Sequence, residues 1–378
     1  MDHPFKAQRA LFPSLETNVQ LSSCSQSALA IPVRKAVVEY LDSLLERGMD
    51  WGLWMGKVSA AKAEFARLIN ADADEIAVCA SVTDAAASVA SALDFSGSRN
   101  RIVVGELDFP SVGQLWHAQR RQGAQVHFVE AVDHCVSAQA YVSAIDERTR
   151  LVSVSQVGFY NGFRQDVEAI TRHAHSQGAL VFVDAYQSAG SEPIDVKTSG
   201  VDMLASGMQK YLLGVPGIAF LYVRRELAQQ LEPSNTGWFG RINPFAFDIR
   251  QLDYAPNTAR FDVGTPPMMA AFAAEAALKI INELGANAIC DWQHQLSRVA
   301  LETAHKCGLA IASPGDLSIK AANTAIRVSN AGALEQQMAA EGYIVSARND
   351  VIRIAPHFYN TEQEVCDAVQ LLARLTYY

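Results

Sequence analysis

A chain of 378 residues, 49% hydrophobic and 19% charged, has the balance of a globular protein and is long enough for about two domains. Its net charge of −9 excludes the basic face that nucleic-acid binding needs. No run reaches the ~18 apolar residues that span a bilayer, the opening MDHPFKAQRALFPSLE has no apolar signal core, and the six cysteines are scattered without a C-x-x-C pair, so a soluble, cytoplasmic chain with reduced thiols and no metal site is expected.

The first clear strand is EIAVCA (75–80), and SVTDAAASVASAL follows it directly. Ser81, Val82 and Thr83 therefore open an Ala-rich helix just past a strand end, an ordinary N-cap that also suits a phosphate, because helix N-termini present free N–H groups. RIVVGE (101–106) leads into LDFPS with Phe109; QVHFVE (125–130) and RLVSVSQV (150–157) come next. FYNG with Asn161 precedes the amphipathic DVEAITRHAHSQG, in which Val167, Ile170 and Ala174 share a stripe and Gly178 supplies the stop. ALVFVDA (179–185) places Asp184 at a strand end, where ligands of parallel sheets sit. VDMLAS (201–206) and GIAFLYV (217–223) flank SGMQKYLLGVPG, so Lys210 stands among Met, Tyr and Leu, where partial desolvation favours its neutral, nucleophilic form. Strands apolar on both faces, alternating with helices, imply an α/β fold with a mostly parallel sheet covered on both sides.

After Phe247 a loop-rich stretch ends in RFDVGTPP and gives way to the helix MMAAFAAEAALKIINELG, the strands TAIRVS and VIRIAP, and a last helix from Thr361 to about Leu375. This predicts a large domain over 20–255 and a smaller α+β domain over 256–378, joined by residues 1–19. In VIRIAP, Arg353 lies between Ile352 and Ile354, and a guanidinium on such a half-buried strand needs a partner.

Five stretches in this order, GFYNGFRQDVEAI, VFVDAYQSAG, GVDMLASGMQKYLLGVPGIAFLYV, RFDVGTPP and VIRIAPHFYNTEQEV, resemble the class V aminotransferase family of fold-type I pyridoxal-phosphate (PLP) enzymes, which includes cysteine desulfurases and kynureninase. The resemblance implies that Lys210 holds pyridoxal 5'-phosphate as a Schiff base and then carries the Cα proton as general base. It also implies that Asp184 keeps the pyridine nitrogen protonated. Gln187 stands where many members have His and is expected near the ring oxygen, as is Asn161. Thr83, with Ser81 and Val82, matches the phosphate site. Gln209 stands where relatives have a phosphate-contacting His or Tyr. Phe109 matches a ring-stacking position, and Trp238 in TGWFG resembles the kynureninase branch. Thr265 matches a position reaching the phosphate of a neighbouring subunit, which implies a homodimer with shared active sites. Arg353 matches the bidentate clamp on a substrate α-carboxylate.

The departures narrow the chemistry. No cysteine lies between Cys307 and Cys366, and AEGYIVSARNDVIR runs almost directly into Arg353, so persulfide chemistry of the desulfurase kind is not expected. Kynureninase has Tyr where Gln209 precedes the lysine. The expected activity is transamination of an amino acid, with kynureninase-like C–C or C–S lysis as the alternative. A nucleotide-binding oxidoreductase is excluded by the lack of a G-x-G-x-x-G after a strand.

Overall fold

The computed structural model describes residues 3–377. Seven strands form its main sheet: β1 (Ile76–Cys79), β2 (Arg101–Gly105), β3 (Gln125–Val129), β4 (Thr149–Ser155), β5 (Leu180–Asp184), β6 (Met203–Gly207) and β7 (Ala219–Val223). Their spatial order is β1-β7-β6-β5-β4-β2-β3. All run parallel except β7, which is antiparallel to both neighbours. The central strands read as continuous apolar runs because helices cover both faces: Val181, Phe182 and Val183 are at most 1% exposed. QVHFVE departs from that expectation. As the edge strand β3 it buries only Val129 fully, and Phe128 is 40% exposed.

The longer helices on the main-sheet side are α1 (Ile31–Arg47), α2 (Trp51–Leu68), α3 (Val82–Ser91), α4 (Pro110–Ala118), α5 (Ala138–Ala144) and α6 (Val167–Ser176). Asp166 caps α6 by accepting from Ala169 N at 3.0 Å, and Gly178 at φ +73° ends it, as the sequence pattern requires. The Ala-rich stretch forms α7 (Met268–Leu284), whose small side chains let it lie close against α2 and α1.

Beyond it come α8 (Ala286–Lys306), β8 (Thr324–Arg327), α9 (Ala331–Ala340), β9 (Ser346–Arg348), β10 (Val351–Ile354) and α10 (Glu362–Tyr377). The three strands form an antiparallel sheet in the order β9-β10-β8, with Ser346 opposite Arg353. The N-terminal residues fold onto this region. Phe12 packs against Tyr359 with ring centroids 4.7 Å apart, and Arg9 donates to Glu364 at 2.6 Å. Val19–Gln20 pair with Tyr343–Ile344, and the following segment turns towards the carboxyl ends of the main sheet. Among the described residues no helix is long and apolar enough to cross a membrane.

Candidate active site

The residues singled out by sequence converge on the carboxyl ends of the parallel strands. Asp184 ends β5, Lys210 follows β6, Phe109 follows β2 and Ser81 follows β1. This is where an open α/β sheet places ligands, because the chain there leaves the packed layers.

Lys210 is 9% exposed, and burial pushes its ammonium pKa down to about 8, with Asp184 pulling in the other direction. Its Nζ lies 4.0 Å from the centroid of the Tyr186 ring and 5.5 Å from that of Phe109. No hydrogen bond or ion pair holds this amine among the described residues, so it is free for covalent chemistry. Asp184 is 6% exposed, and burial raises its carboxyl pKa. Its Oδ1 accepts from Tyr186 N at 2.9 Å, which fixes the carboxylate at the strand end. Gly207 makes room for this arrangement: a Cβ there would lie 2.4 Å from the Tyr186 ring.

Around this pair the other candidates take distinct places. Gln209 accepts from the Tyr186 hydroxyl at 3.1 Å and donates to Ser25 O at 3.5 Å. Phe109 is 36% exposed and meets Phe159 edge-on at 5.2 Å. Ser81 is the N-cap of α3, its Oγ accepting from Asp84 N at 3.1 Å, with Val82 and Thr83 in the first turn. Gln187 is buried but donates its amide to Cys24 O at 3.0 Å, so it braces the N-terminal segment. Asn161 is 2% exposed and spends its side chain on backbone: it donates to His134 O at 2.8 Å and Ala312 O at 3.4 Å and accepts from Phe163 N at 3.1 Å.

Two candidates are not joined to Lys210 by any described contact. Trp238 packs with Trp51, Phe239, Phe245 and Phe247, its indole donating to Pro244 O. Thr265 is exposed on the loop before α7.

Arg353 is 1% exposed, and among the described residues no carboxylate pairs with it. It donates to Phe159 O at 2.8 Å, Ser25 Oγ at 2.8 Å and Ser346 Oγ at 2.6 Å, while its Nε is buried with no partner. A buried cation held only by neutral acceptors, with its Nε–H unspent, is suited to an anion.

The sequence pointed to neither Tyr186, which covers Lys210, nor Ser25, nor Asp108. Asp108 immediately precedes Phe109. The residue as a whole is half-buried, but its Oδ2 is sealed from solvent without a partner, while its Oδ1 accepts from Ser155 N at 3.1 Å. Burial, reinforced by the charge of Asp184, raises its pKa to about 7. An acidic residue directly before Phe109 was the available signal, and it reads equally as a turn residue.

A family model described as Aminotransferase class-V matches residues 52–366. The chain is 42% identical to the "Uncharacterized aminotransferase YcbU" of Bacillus subtilis (strain 168), over all of this chain and 99% of that one. A kynureninase of Bacillus anthracis is 26% identical over 96% of this chain and 90% of its own. Among solved structures, a variant of C-DES with glycine covalently linked to its PLP cofactor superposes with a TM-score of 0.88. It is 20% identical and covers 96% of this chain and 99% of that chain, a likeness of fold.

Proposed function

Because the chain belongs to the aminotransferase class-V family of PLP enzymes, we propose that it transaminates an α-amino acid, with Lys210 as the residue that carries the cofactor and moves the Cα proton. The observation that carries this reading is the Lys210 amine itself: buried, unbonded, at a pKa of about 8, beneath the Tyr186 ring and beside Phe109. The donor set also fits the cofactor, because a buried carboxylate at Asp184 favours a protonated pyridine nitrogen and free N–H groups at the start of α3 favour a phosphate.

When bound, PLP supplies an electron sink for the charge left at Cα. The chain does the rest. Asp184 holds a proton at the ring nitrogen. Ser81, Val82 and Thr83 would hold the phosphate and Phe109 would pack on the ring, while Gln209 sets the position of Tyr186. Lys210, freed when the substrate amine takes its place, would take the proton from Cα and deliver it to the C4′ carbon of the cofactor, its lowered pKa matching that task near neutral pH. Arg353 binds the α-carboxylate, the only substrate group common to all amino acids besides the reacting amine. Gln187 and Asn161 act by bracing the loops that carry these groups. Thr265 reaches the phosphate of a second copy, which makes the working unit a homodimer.

The test is a half-reaction. Purified holoenzyme is mixed with a panel of amino acids, and one keto acid per converted cofactor is the expected yield. A second reading, C–C or C–S lysis, is favoured by Phe109 in its kynureninase-like position beside Lys210 and would release alanine, pyruvate or sulfide instead. An unchanged cofactor spectrum with every amino acid removes both.

A further inference from the structure

Away from Lys210, α8 places Cys290 and His294 one turn apart on the same face, the i, i+4 spacing that lets two side chains share one ligand. Facing them is Glu192, from the loop eight residues beyond Asp184. The cluster is enclosed: the Glu192 side chain is 3% exposed, Cys290 6% and the His294 side chain 25%. His294 Nε2 lies 3.1 Å from Glu192 Oε1, Cys290 Sγ lies 3.7 Å from Glu192 Oε2, and Sγ and Nε2 are 3.7 Å apart.

These spacings match the edges of a coordination tetrahedron. Metal–sulfur and metal–nitrogen or –oxygen bonds of ~2.3 and ~2.1 Å at tetrahedral angles put ligand atoms roughly 3.4–3.6 Å apart. We propose that Glu192, Cys290 and His294 bind a zinc-class cation (Zn²⁺, Co²⁺ or Cd²⁺). Sulfur and imidazole donors disfavour Mg²⁺ and Ca²⁺, which take oxygen. Glu192 meets His294 through Oε1 and Cys290 through Oε2, and Arg164 Nη1, 3.4 Å from Oε2, fixes the carboxylate from outside as outer partners of metal ligands do. On binding, the Cys290 S–H bond breaks, its proton leaves to solvent and sulfur bonds to the metal. The carboxylate and the new thiolate together carry the two charges that balance the ion. Glu192 also lines, with Arg164 and Ser318, a cavity of about 450 Å³.

The sequence pointed to no metal site, since C-x-x-x-H on one helix and a glutamate nearly a hundred residues earlier match no compact metal pattern. Its consequence is mechanical. Glu192 N donates to Ser188 O at 2.7 Å in the loop that carries Asp184 and Gln187, so an ion here ties α8 to the loop leading from the cofactor's carboxylate.

Untagged holoenzyme, stripped with a chelator and given one equivalent of zinc chloride, should retain one zinc per chain through gel filtration. Cys290→Ser and His294→Gln should each retain less than about a tenth of that, since losing an inner ligand costs at least what losing an outer one does. Both variants should keep the cofactor absorbance, which separates lost binding from lost folding. Independently of any variant, wild-type crystals soaked in zinc should show anomalous scattering between the three side chains. Wild type that retains no zinc, folded variants that retain it equally, or an anomalous peak elsewhere would each overturn the assignment. None of these outcomes bears on transamination.

Discussion

Arg353 donates to the hydroxyl of Ser25 at 2.8 Å, tying a C-terminal strand to the N-terminal segment across 328 residues of chain. The bond makes the segment before α1 part of the proposed substrate site, although nothing in SSCSQSALA marks it as such. Ser346 accepts from the same Nη2 at 2.6 Å, so Ser25→Ala removes one of two acceptors and leaves the guanidinium in place. Losing a charge-assisted bond of that kind costs about 1–2 kcal/mol. The variant should need roughly 5- to 30-fold more amino acid to shift the cofactor spectrum, with unchanged cofactor content. Equal titrations would remove Ser25 from the site.

Lys210 carries a pH signature. Its pKa of about 8 follows from burial, and a base depressed in this way becomes nucleophilic two units earlier than an ordinary lysine. Capture of PLP by apoenzyme should therefore accelerate about tenfold per pH unit up to ~8 and level off above it. Borohydride should then fix the cofactor to the peptide holding Lys210. A rate still climbing at pH 9.5 would mean the amine is solvated, contrary to its position under Tyr186.

Asp108 makes an opposite kind of prediction. Burial and the charge of Asp184 raise its pKa to about 7, so the folded protein binds a proton that the unfolded chain, titrating near 4, has released. Stability from this group is therefore present at low pH and lost as pH rises from about 4 through 7. Asp108→Asn keeps the neutral form at every pH. The apo variant should gain relative to wild type between pH 5 and pH 8, by on the order of 2 kcal/mol. Parallel melting curves at both pH values would contradict the buried-acid account.

How far the sequence reached depended on whether a residue acts where its own element puts it. Asp184 and Lys210 lie at strand ends, and strand ends are visible in runs such as VFVD. The sheet order, with β7 antiparallel between β1 and β6, was not legible, because GIAFLYV is apolar on both faces whichever way it runs. Asn161 and Gln187 were expected near the ring oxygen of the cofactor because of the family positions they match. In the fold their amides go to the carbonyls of His134 and Cys24, partners set by loop closure, which local pattern does not encode. Tyr186 was passed over for the same reason: only the glycine facing it, Gly207, lets its ring reach Lys210.

The proposed dimer has a surface to use. Ile242 is 64% exposed, Phe245 61%, Phe247 69%, Ile249 98% and Leu252 55%, a concentration of apolar side chains beside Trp238 that a lone soluble chain rarely carries. Sedimentation at micromolar concentration should give about twice the 41.0 kDa chain mass. A Phe247→Glu, Ile249→Glu double variant should move towards monomer and lose PLP affinity, because Thr265 would no longer meet a second copy. A monomer with full cofactor occupancy would remove the shared-site argument.

The sharpest test concerns Arg353 and whether the substrate is an α-amino acid at all. The guanidinium is buried, its three described bonds go to neutral oxygens and its Nε has no described partner, so an incoming carboxylate meets a cation that no carboxylate among the described residues pairs with. A bidentate pair in such a place contributes ~2–4 kcal/mol. Arg353→Lys keeps the charge but loses the planar fork, and a lysine ammonium cannot reach Phe159 O, Ser25 and a ligand together. The variant should keep its PLP spectrum, because Arg353 touches neither Asp184 nor Lys210. What changes is the amino-acid concentration that shifts that spectrum, by roughly 30- to 1000-fold on that energy. Amines without a carboxylate should bind both proteins alike. Unchanged amino-acid titrations would show that the carboxylate binds elsewhere. Loss of PLP itself would show that Arg353 holds the cofactor site together and not the substrate.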